Sequence, residues 1–309
     1  MSIAPDAPSP PGDAQDARPP ARSFDQLIAG CGLPRLEARA LLTLATGRPR
    51  EWLIAHGDEA VDAAVADRFD DLAARRRAGE PIAYLTGYRE FRDLRFEVSP
   101  AVLIPRPETE GLVDLIGELA PPAARVLDLG TGSGAIAVAL AHARPDLRLV
   151  ASDRSAAALA IARRNAAALL GPRAGGTIDW REGSWWAVAG AGERFQVIVS
   201  NPPYIAERDA HLTRGDLRFE PRQALAAGTD GLDDLRRIVA GAPAHLTEGG
   251  WLLLEHGWDQ AGAVRALMDD AGFTDVRTVP DAQHHDRITL GMAHARAGDG
   301  GRLPDPGLE

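Results

Sequence analysis

The chain reads as an α/β protein: a seven-stranded, mostly parallel sheet with helices on both faces, preceded by a small all-helical region and a β-hairpin connector. Three observations carry that reading. Beyond Pro121-Pro122, short apolar β-rich runs alternate with helix-patterned stretches, the rhythm of strand-helix-strand units. A glycine-rich turn joins the first run to the helix that follows it. Before residue 80, by contrast, apolar side chains recur only at helical spacing.

Residues 1–22 are rich in Pro, Ala and Asp and poor in large apolar side chains, so they predict a disordered tail, as does the Gly/Pro-rich segment 296–309. Residues 23–80 predict a helical domain. Ser23 is the expected N-cap of a helix bearing Phe24, Leu27 and Ile28. Leu36, Ala40, Leu41 and Leu44 form a second stripe after Pro34, which Pro49 ends, and Val61, Val65, Phe69 and Leu72 a third. Residues 81–108 predict a hairpin connector with turns at Gly87 and Arg92-Asp93, running into the extended Pro105-Arg106-Pro107. Residues 109–295 predict the α/β domain. Its helix near Thr109 precedes strands at Arg125–Leu129, Leu147–Ser152, Thr177–Trp180, Phe195–Ser200, Trp251–Leu254, Val276–Val279 and Asp286–Met292, the last two as antiparallel neighbours. Helices are expected at Gly134–Ala143, Ala156–Leu170, Leu232–Leu246 and Ala261–Ala271.

Composition narrows the function. With a net charge of -10, the chain lacks a global basic field for gripping nucleic acid. Its one cysteine, Cys31, builds no disulfide framework and reads as a small buried hydrophobe. No Cys/His group has zinc-site spacing, and the adjacent His284-His285 read as a loop pair, so no metal is expected. No apolar run approaches the ~20 residues of a membrane span. The expectation is a cytoplasmic protein that engages neither membrane nor nucleic acid.

The first strand runs into Asp128-Leu129-Gly130-Thr131-Gly132-Ser133-Gly134-Ala135. Glycines let the backbone turn sharply and approach a ligand without a Cβ in the way. The free N–H groups of the next helix favour an electronegative ligand. Asp153 ends the second strand, about twenty residues on, where a carboxylate accepts hydrogen bonds from ribose hydroxyls. A nucleoside-containing cofactor follows, but these residues do not separate NAD from S-adenosylmethionine.

The segment Asn201-Pro202-Pro203-Tyr204, at the end of the fourth strand, separates them. Consecutive prolines stiffen the backbone and remove donors while leaving carbonyl acceptors. Asn201 adds an amide and Tyr204 a flat aromatic face. The result is an acceptor-rich clamp for a planar group bearing N–H protons. It suits methyl transfer to an amide-type nitrogen, whose lone pair is delocalised until both N–H bonds are held out of plane. It offers no acid or base for hydride chemistry.

With those residues in view, the sequence resembles the protein-(glutamine-N5) methyltransferases that modify peptide chain release factors at the glutamine of their Gly-Gly-Gln loop. The resemblance spans roughly 23–292. It rests on Glu80 through Gly87, Leu103 through Glu110, Asp128 through Ile136, Asn201 through Tyr204, Phe219-Glu220-Pro221 with Ala224-Leu225, and Leu253 through Trp258. It implies a Rossmann-like class I S-adenosylmethionine-dependent methyltransferase domain and a helical N-terminal domain that docks the release factor. It further implies that Gly130, Thr131, Gly132, Ser133 and Gly134 wrap the cofactor, that Asp153 holds its ribose, and that a tryptophan packs near its adenine, with Trp185 favoured over its neighbour Trp186. Asn201 would contact both cofactor and substrate, with Pro202, Pro203 and Tyr204 completing the glutamine pocket. A monomer is expected. Arg106 and Glu108 read equally as a salt-bridged joint or as ligand contacts, and no base role is assigned to Glu255 or His256.

Other readings remain open. Adenine N6 is also a planar nitrogen held by similar clamps in nucleic-acid methyltransferases, but Arg75-Arg76-Arg77 reads as a solvated helix end rather than a basic groove. A ribosomal-protein glutamine is a third target. A NAD-dependent oxidoreductase and a non-enzymatic binding module are the readings from other classes.

Overall fold

The computed structural model describes residues 21–171 and 178–294. The expected tails therefore lie almost wholly outside the described residues. Arg22 does not: its guanidinium pairs with Asp70 at 2.6 Å and its carbonyl accepts from the Val61 N–H, so it belongs with the helices that follow.

The described chain falls into two compact units that meet at Ala78 and Gly79. The first holds α1 (Phe24–Gly30), α2 (Arg35–Thr46), α3 (Arg50–Ala55) and α4 (Ala63–Arg77). Ser23 caps α1 with a full capping box, its hydroxyl accepting from Gln26 N while the Gln26 side chain accepts from Ser23 N. The buried stripe of α2 is Ala38, Leu41, Leu42 and Ala45, whereas Leu36 is 66% exposed. The expected stripe was thus rotated, because Leu41 fits two helical phases and only packing selects one. Phe69 and Leu72 of α4 are buried, joined by Ala66 and Ala73 rather than Val65. The arginine triplet is not a merely solvated end: Arg76 forks onto Glu37 and Arg77 donates to the Cys31 carbonyl at 2.7 Å.

The second unit opens with a correction. Ile82–Thr86 is a helical turn, α5, closed by Gly87 in the left-handed region at φ 80. The hairpin is only β1 (Tyr88–Phe91) and β2 (Leu94–Glu97), joined through Arg92 and Asp93, both at positive φ. After a 3-10 turn at Pro107–Thr109 come α6 (Glu110–Leu119), β3 (Arg125–Leu129), α7 (Ala135–Ala143), β4 (Arg148–Asp153), α8 (Ala156–Leu170), β5 (Ile178–Glu182) and β6 (Phe195–Ser200). The chain finishes with α9 (Asp233–His245), β7 (Leu246–Glu255), α10 (Ala261–Asp270), β8 (Phe273–Pro280) and β9 (Asp286–Ala293). Strand β7 starts five residues before the apolar run that announced it. The polar Thr247–Gly250 stretch is carried past a register shift opposite Phe195–Val197.

Seven strands lie in the order β5-β4-β3-β6-β7-β9-β8, parallel except at β9 and β8. Alternate side chains feed two cores: Val126, Val197 and Leu253 on one face with α6 and α7, Leu127, Ile198 and Leu252 on the other with α9 and α10. Each fully buried Leu or Val contributes roughly 1.5–3 kcal/mol over exposure, so the sheet is a stiff platform. Its register matters more than its size here. Leu129 pairs with both Ser152 and Ser200, and Ser200 with Leu254. The next residues in the chain, Gly130, Asp153, Asn201 and Glu255, therefore leave one edge of the sheet as a row.

Among the described residues, no helix is long and apolar enough to cross a membrane, and no His/Cys/Asp/Glu group could hold a metal ion.

Candidate active site

The turn after β3 is built for close approach. Gly130, Gly132 and Gly134 all sit at positive φ. They do different jobs. A Cβ on Gly134 would press on Ala162 of α8 at 3.1 Å, so this glycine lets α7 and α8 pack. A Cβ on Gly130 would stand 3.5 Å from the Trp185 ring, in the cleft between turn and indole. Nothing lies within 4 Å of the Gly132 position, where the backbone conformation alone requires glycine.

The turn is held from behind. Gly130 N and Thr131 N both donate to the Ser152 carbonyl. Thr131 Oγ1 donates to Asp128 Oδ2 at 2.6 Å, and the Ser133 carbonyl accepts from Asn165 Nδ2. Asn165 also exchanges hydrogen bonds with the Glu97 backbone, tying β2 to the turn. Asp128 is buried, its Oδ1 has no partner, and burial pushes its carboxyl up to about 7.

Asp153 accepts from Gly132 N at 2.9 Å through Oδ2 and from Ser155 N at 2.8 Å through Oδ1. Burial raises its pKa, against those two bonds. The cap of α8 is Ser155, whose hydroxyl accepts from Ala158 N, so Asp153 is not needed as a cap. Each Asp153 oxygen keeps a lone pair, and the residue faces the cavity.

That cavity is a cleft open to solvent, lined by polar groups of the turn and by apolar side chains. Gly130 through Ser133 line one side, Asp153 another, and Trp185, Asn201 and Pro203 complete it. Gly134 lies outside its lining, as do Pro202 and Tyr204. Trp185 and Trp186 part company. Trp185, at φ 46, turns its ring to the cavity and donates from Nε1 to Asp234 Oδ1 at 3.1 Å. Trp186 instead packs over Gly241, stacks on His245 and donates to the Arg237 carbonyl.

The clamp is anchored by residues that sequence reasoning left without a role. Asn201 Nδ2 donates to Thr109 Oγ1 at 3.1 Å, and Thr109 donates to Glu255 Oε2 at 2.7 Å. The Tyr204 hydroxyl donates to Glu255 Oε1 at 3.3 Å. Burial pushes the Tyr204 hydroxyl up, with the Glu255 charge adding to it. The Tyr204 carbonyl accepts from Gln260 Nε2, and a Cβ on Gly231 would overlap that same oxygen. His256 is fully buried, accepted by the Gly257 carbonyl at Nδ1 and facing Thr289 at Nε2. Burial lowers its pKa, so it is a neutral structural histidine.

Arg106 resolves as both alternatives at once: it lines the cavity and pairs with the buried Glu220, whose other oxygen accepts from Ile104 N at 2.9 Å. Glu108 does not line the cavity. The Phe219-Glu220-Pro221 stretch was the only signal for that latch.

These residues fit a nucleoside-bearing cofactor, the class to which S-adenosylmethionine belongs. The glycine cradle is one that a Cβ at Gly130 would narrow, and Asp153 has free lone pairs facing the cavity.

Known proteins match this architecture. A family described as the PrmC N-terminal domain matches residues 25–87, and one described as the methyltransferase small domain matches 109–219. A methyltransferase of known structure from Pyrococcus furiosus superimposes with a TM-score of 0.50 at 17% identity, covering 73% of this chain and 99% of that one, a likeness of fold. The release factor glutamine methyltransferase of Bordetella pertussis is 51% identical over 86% of this chain and 97% of its own. That of Burkholderia pseudomallei is 53% identical, covering 93% of this chain and 98% of its own. At that identity over nearly its whole length, the chain belongs to the release factor glutamine methyltransferase family.

Proposed function

We infer that this protein transfers a methyl group from S-adenosylmethionine to the side-chain amide nitrogen of the glutamine in the Gly-Gly-Gln loop of peptide chain release factors. The observation that carries the reading is that Asn201 and Pro203 line the same cavity as Gly130–Ser133 and Asp153. A nitrogen clamp and a nucleoside-type pocket thus share one space. The net charge of -10 supports a protein substrate over a nucleic acid.

When bound, S-adenosylmethionine supplies a methyl group on an electrophilic sulfonium, so the reaction asks no metal of the protein. Asp153 would accept from the ribose hydroxyls, the Trp185 ring would pack on the adenine, and the turn from Gly130 to Ser133 would wrap the remainder, with Gly134 holding that turn against α8. Asn201 Oδ1 and the Pro202 carbonyl accept the two N–H bonds of the glutamine amide. That pull twists the nitrogen out of conjugation and aims its lone pair into the cavity. Pro203 and Tyr204 keep the clamp rigid. Most of the rate then comes from positioning. The amide proton leaves to water, so no buried base is required.

Two experiments test the reading. Labelled methyl groups should pass from S-adenosylmethionine to purified release factor and not to a release factor whose Gly-Gly-Gln glutamine is alanine. Equal labelling of both refutes the target, and labelling only of ribosomal protein or of nucleic acid transfers the assignment there. Asp153→Ala should weaken S-adenosylmethionine binding by about 100-fold in titration calorimetry, the worth of two hydrogen bonds to a charged acceptor. Unchanged affinity would remove Asp153 from the cofactor site.

A further inference from the structure

We propose that Glu255 is a positioning residue that sets the hydrogen-bond polarity of the clamp, holding Asn201 with its Oδ1 toward the substrate amide. The role rests on the functional reading above. It arises from two contacts on one buried carboxylate. Glu255 is 1% exposed and does not line the cavity, and Thr109, at its edge, is 4% exposed, so little water reaches the contact between them. An ionised carboxylate only accepts. Thr109 must therefore give its single hydroxyl proton to Glu255 Oε2, and Tyr204 must give its own to Oε1. With its proton committed, Thr109 Oγ1 can only accept, and what it accepts is the Asn201 Nδ2–H. An amide held by its nitrogen leaves its oxygen for the substrate.

The opposite polarity would defeat the clamp. If Glu255 became a donor, Thr109 could turn its proton to Asn201. The amide would then flip and present N–H groups to the N–H groups of the substrate glutamine. Donor would face donor, and neither N–H bond of the substrate would be drawn from conjugation. The same carboxylate also orients Tyr204, so one charge sets both ends of the four-residue clamp.

The surroundings place this switch near neutrality. Burial pushes the Glu255 carboxyl up to about 7, the Thr109 hydroxyl, the Arg287 charge from β9 and the Tyr204 hydroxyl draw it down, and Glu108 beside Thr109 pushes it up. The acceptor form is thus present above about pH 7 and lost as the pH falls below it.

Glu255→Gln tests the inference because it keeps the shape and turns one acceptor oxygen into a donor. With the full-length chain and release factor as substrate, kcat should fall by about 100-fold, the scale of losing one preorganised hydrogen bond at a reacting centre. KM for S-adenosylmethionine should stay near the wild-type value, since Glu255 does not line the cavity. Wild-type kcat should fall below about pH 7, and the variant should show no such limb. Thr109→Val should match the loss and Thr109→Ser should restore activity. A substrate-independent readout accompanies these. In the cofactor-free protein, the side-chain amide resonances of Asn201, assigned by their absence in Asn201→Ala, should titrate near pH 7 and shift in Glu255→Gln. Near-wild-type kcat in Glu255→Gln, or Asn201 resonances indifferent to both pH and that substitution, overturns the proposal. If the wild-type chain labels no release factor, the functional reading fails, while the resonances still decide the Glu255 relay.

Discussion

Asn201→Ala should lower kcat by about 1,000-fold or more, because in the proposed mechanism Asn201 is the side-chain acceptor for the reacting nitrogen. The loss should fall on turnover rather than on cofactor capture. Asp153, the glycine turn and Trp185 all remain, and Asn201 bonds to none of them. Calorimetry with S-adenosylmethionine should therefore show an affinity within about 10-fold of wild type, a change worth less than roughly 1.4 kcal/mol. The substitution also frees Thr109 Oγ1 of the donor it accepts, but Thr109 keeps its bond to Glu255, so the fold is expected to hold. Single-turnover labelling with pre-bound cofactor is the decisive measurement. Near-normal turnover in Asn201→Ala would mean that the clamp does not work through this amide.

Gly231→Ala should be nearly as damaging, although Gly231 carries no functional group. Its φ is 77, a conformation that already disfavours any side chain. An added methyl would overlap the Tyr204 carbonyl and crowd Gln260 Nε2 at 2.9 Å, the donor to that carbonyl. The Tyr204 backbone must retreat by roughly 1 Å, and a displacement of that size near reacting atoms costs about 100-fold in kcat. Strain and overpacking together should lower stability by roughly 1–3 kcal/mol. Thermal unfolding and kcat measured side by side check both halves. A variant of normal stability and normal kcat would show that the clamp tolerates movement of its last residue.

What could be read from residues alone follows from the range of the forces involved. Strands β3, β4 and β6 were legible because a strand buried on both faces must be an unbroken apolar run. The glycine turn and the Asn201–Tyr204 segment were legible because their backbone demands are written in residue types with few substitutes. The α5 turn was not, since Ile82–Thr86 is one turn long and its Pro81 and Gly87 borders equally announce a loop. The rotated stripe of α2 failed for a related reason: Leu36 and Leu42 are equally apolar, and neighbours decided between them. Trp185 and Trp186 are chemically identical, so only the 3-10 turn at Trp185–Val188, which directs one ring to the cavity and the other to α9, distinguishes them. The Glu255 contacts were the least accessible. Thr109 and Glu255 lie 146 positions apart in the chain, and nothing local to either announces the other.

The common row formed by Gly130, Asp153, Asn201 and Glu255 gives the sheet a metrological role. Asp153 ends β4, Gly130 follows β3, Asn201 follows β6 and Glu255 ends β7, four consecutive strands of the sheet. Neighbouring strands are spaced by their hydrogen bonds at roughly 4.8 Å, so Asp153 and Asn201 stand about 10 Å apart by construction. Loops can lengthen, and surface residues can change the protein that is recognised, without altering that interval. In the proposed mechanism, the distance from cofactor anchor to reacting nitrogen is a property of backbone pairing, as invariant as the pitch of a ruled scale.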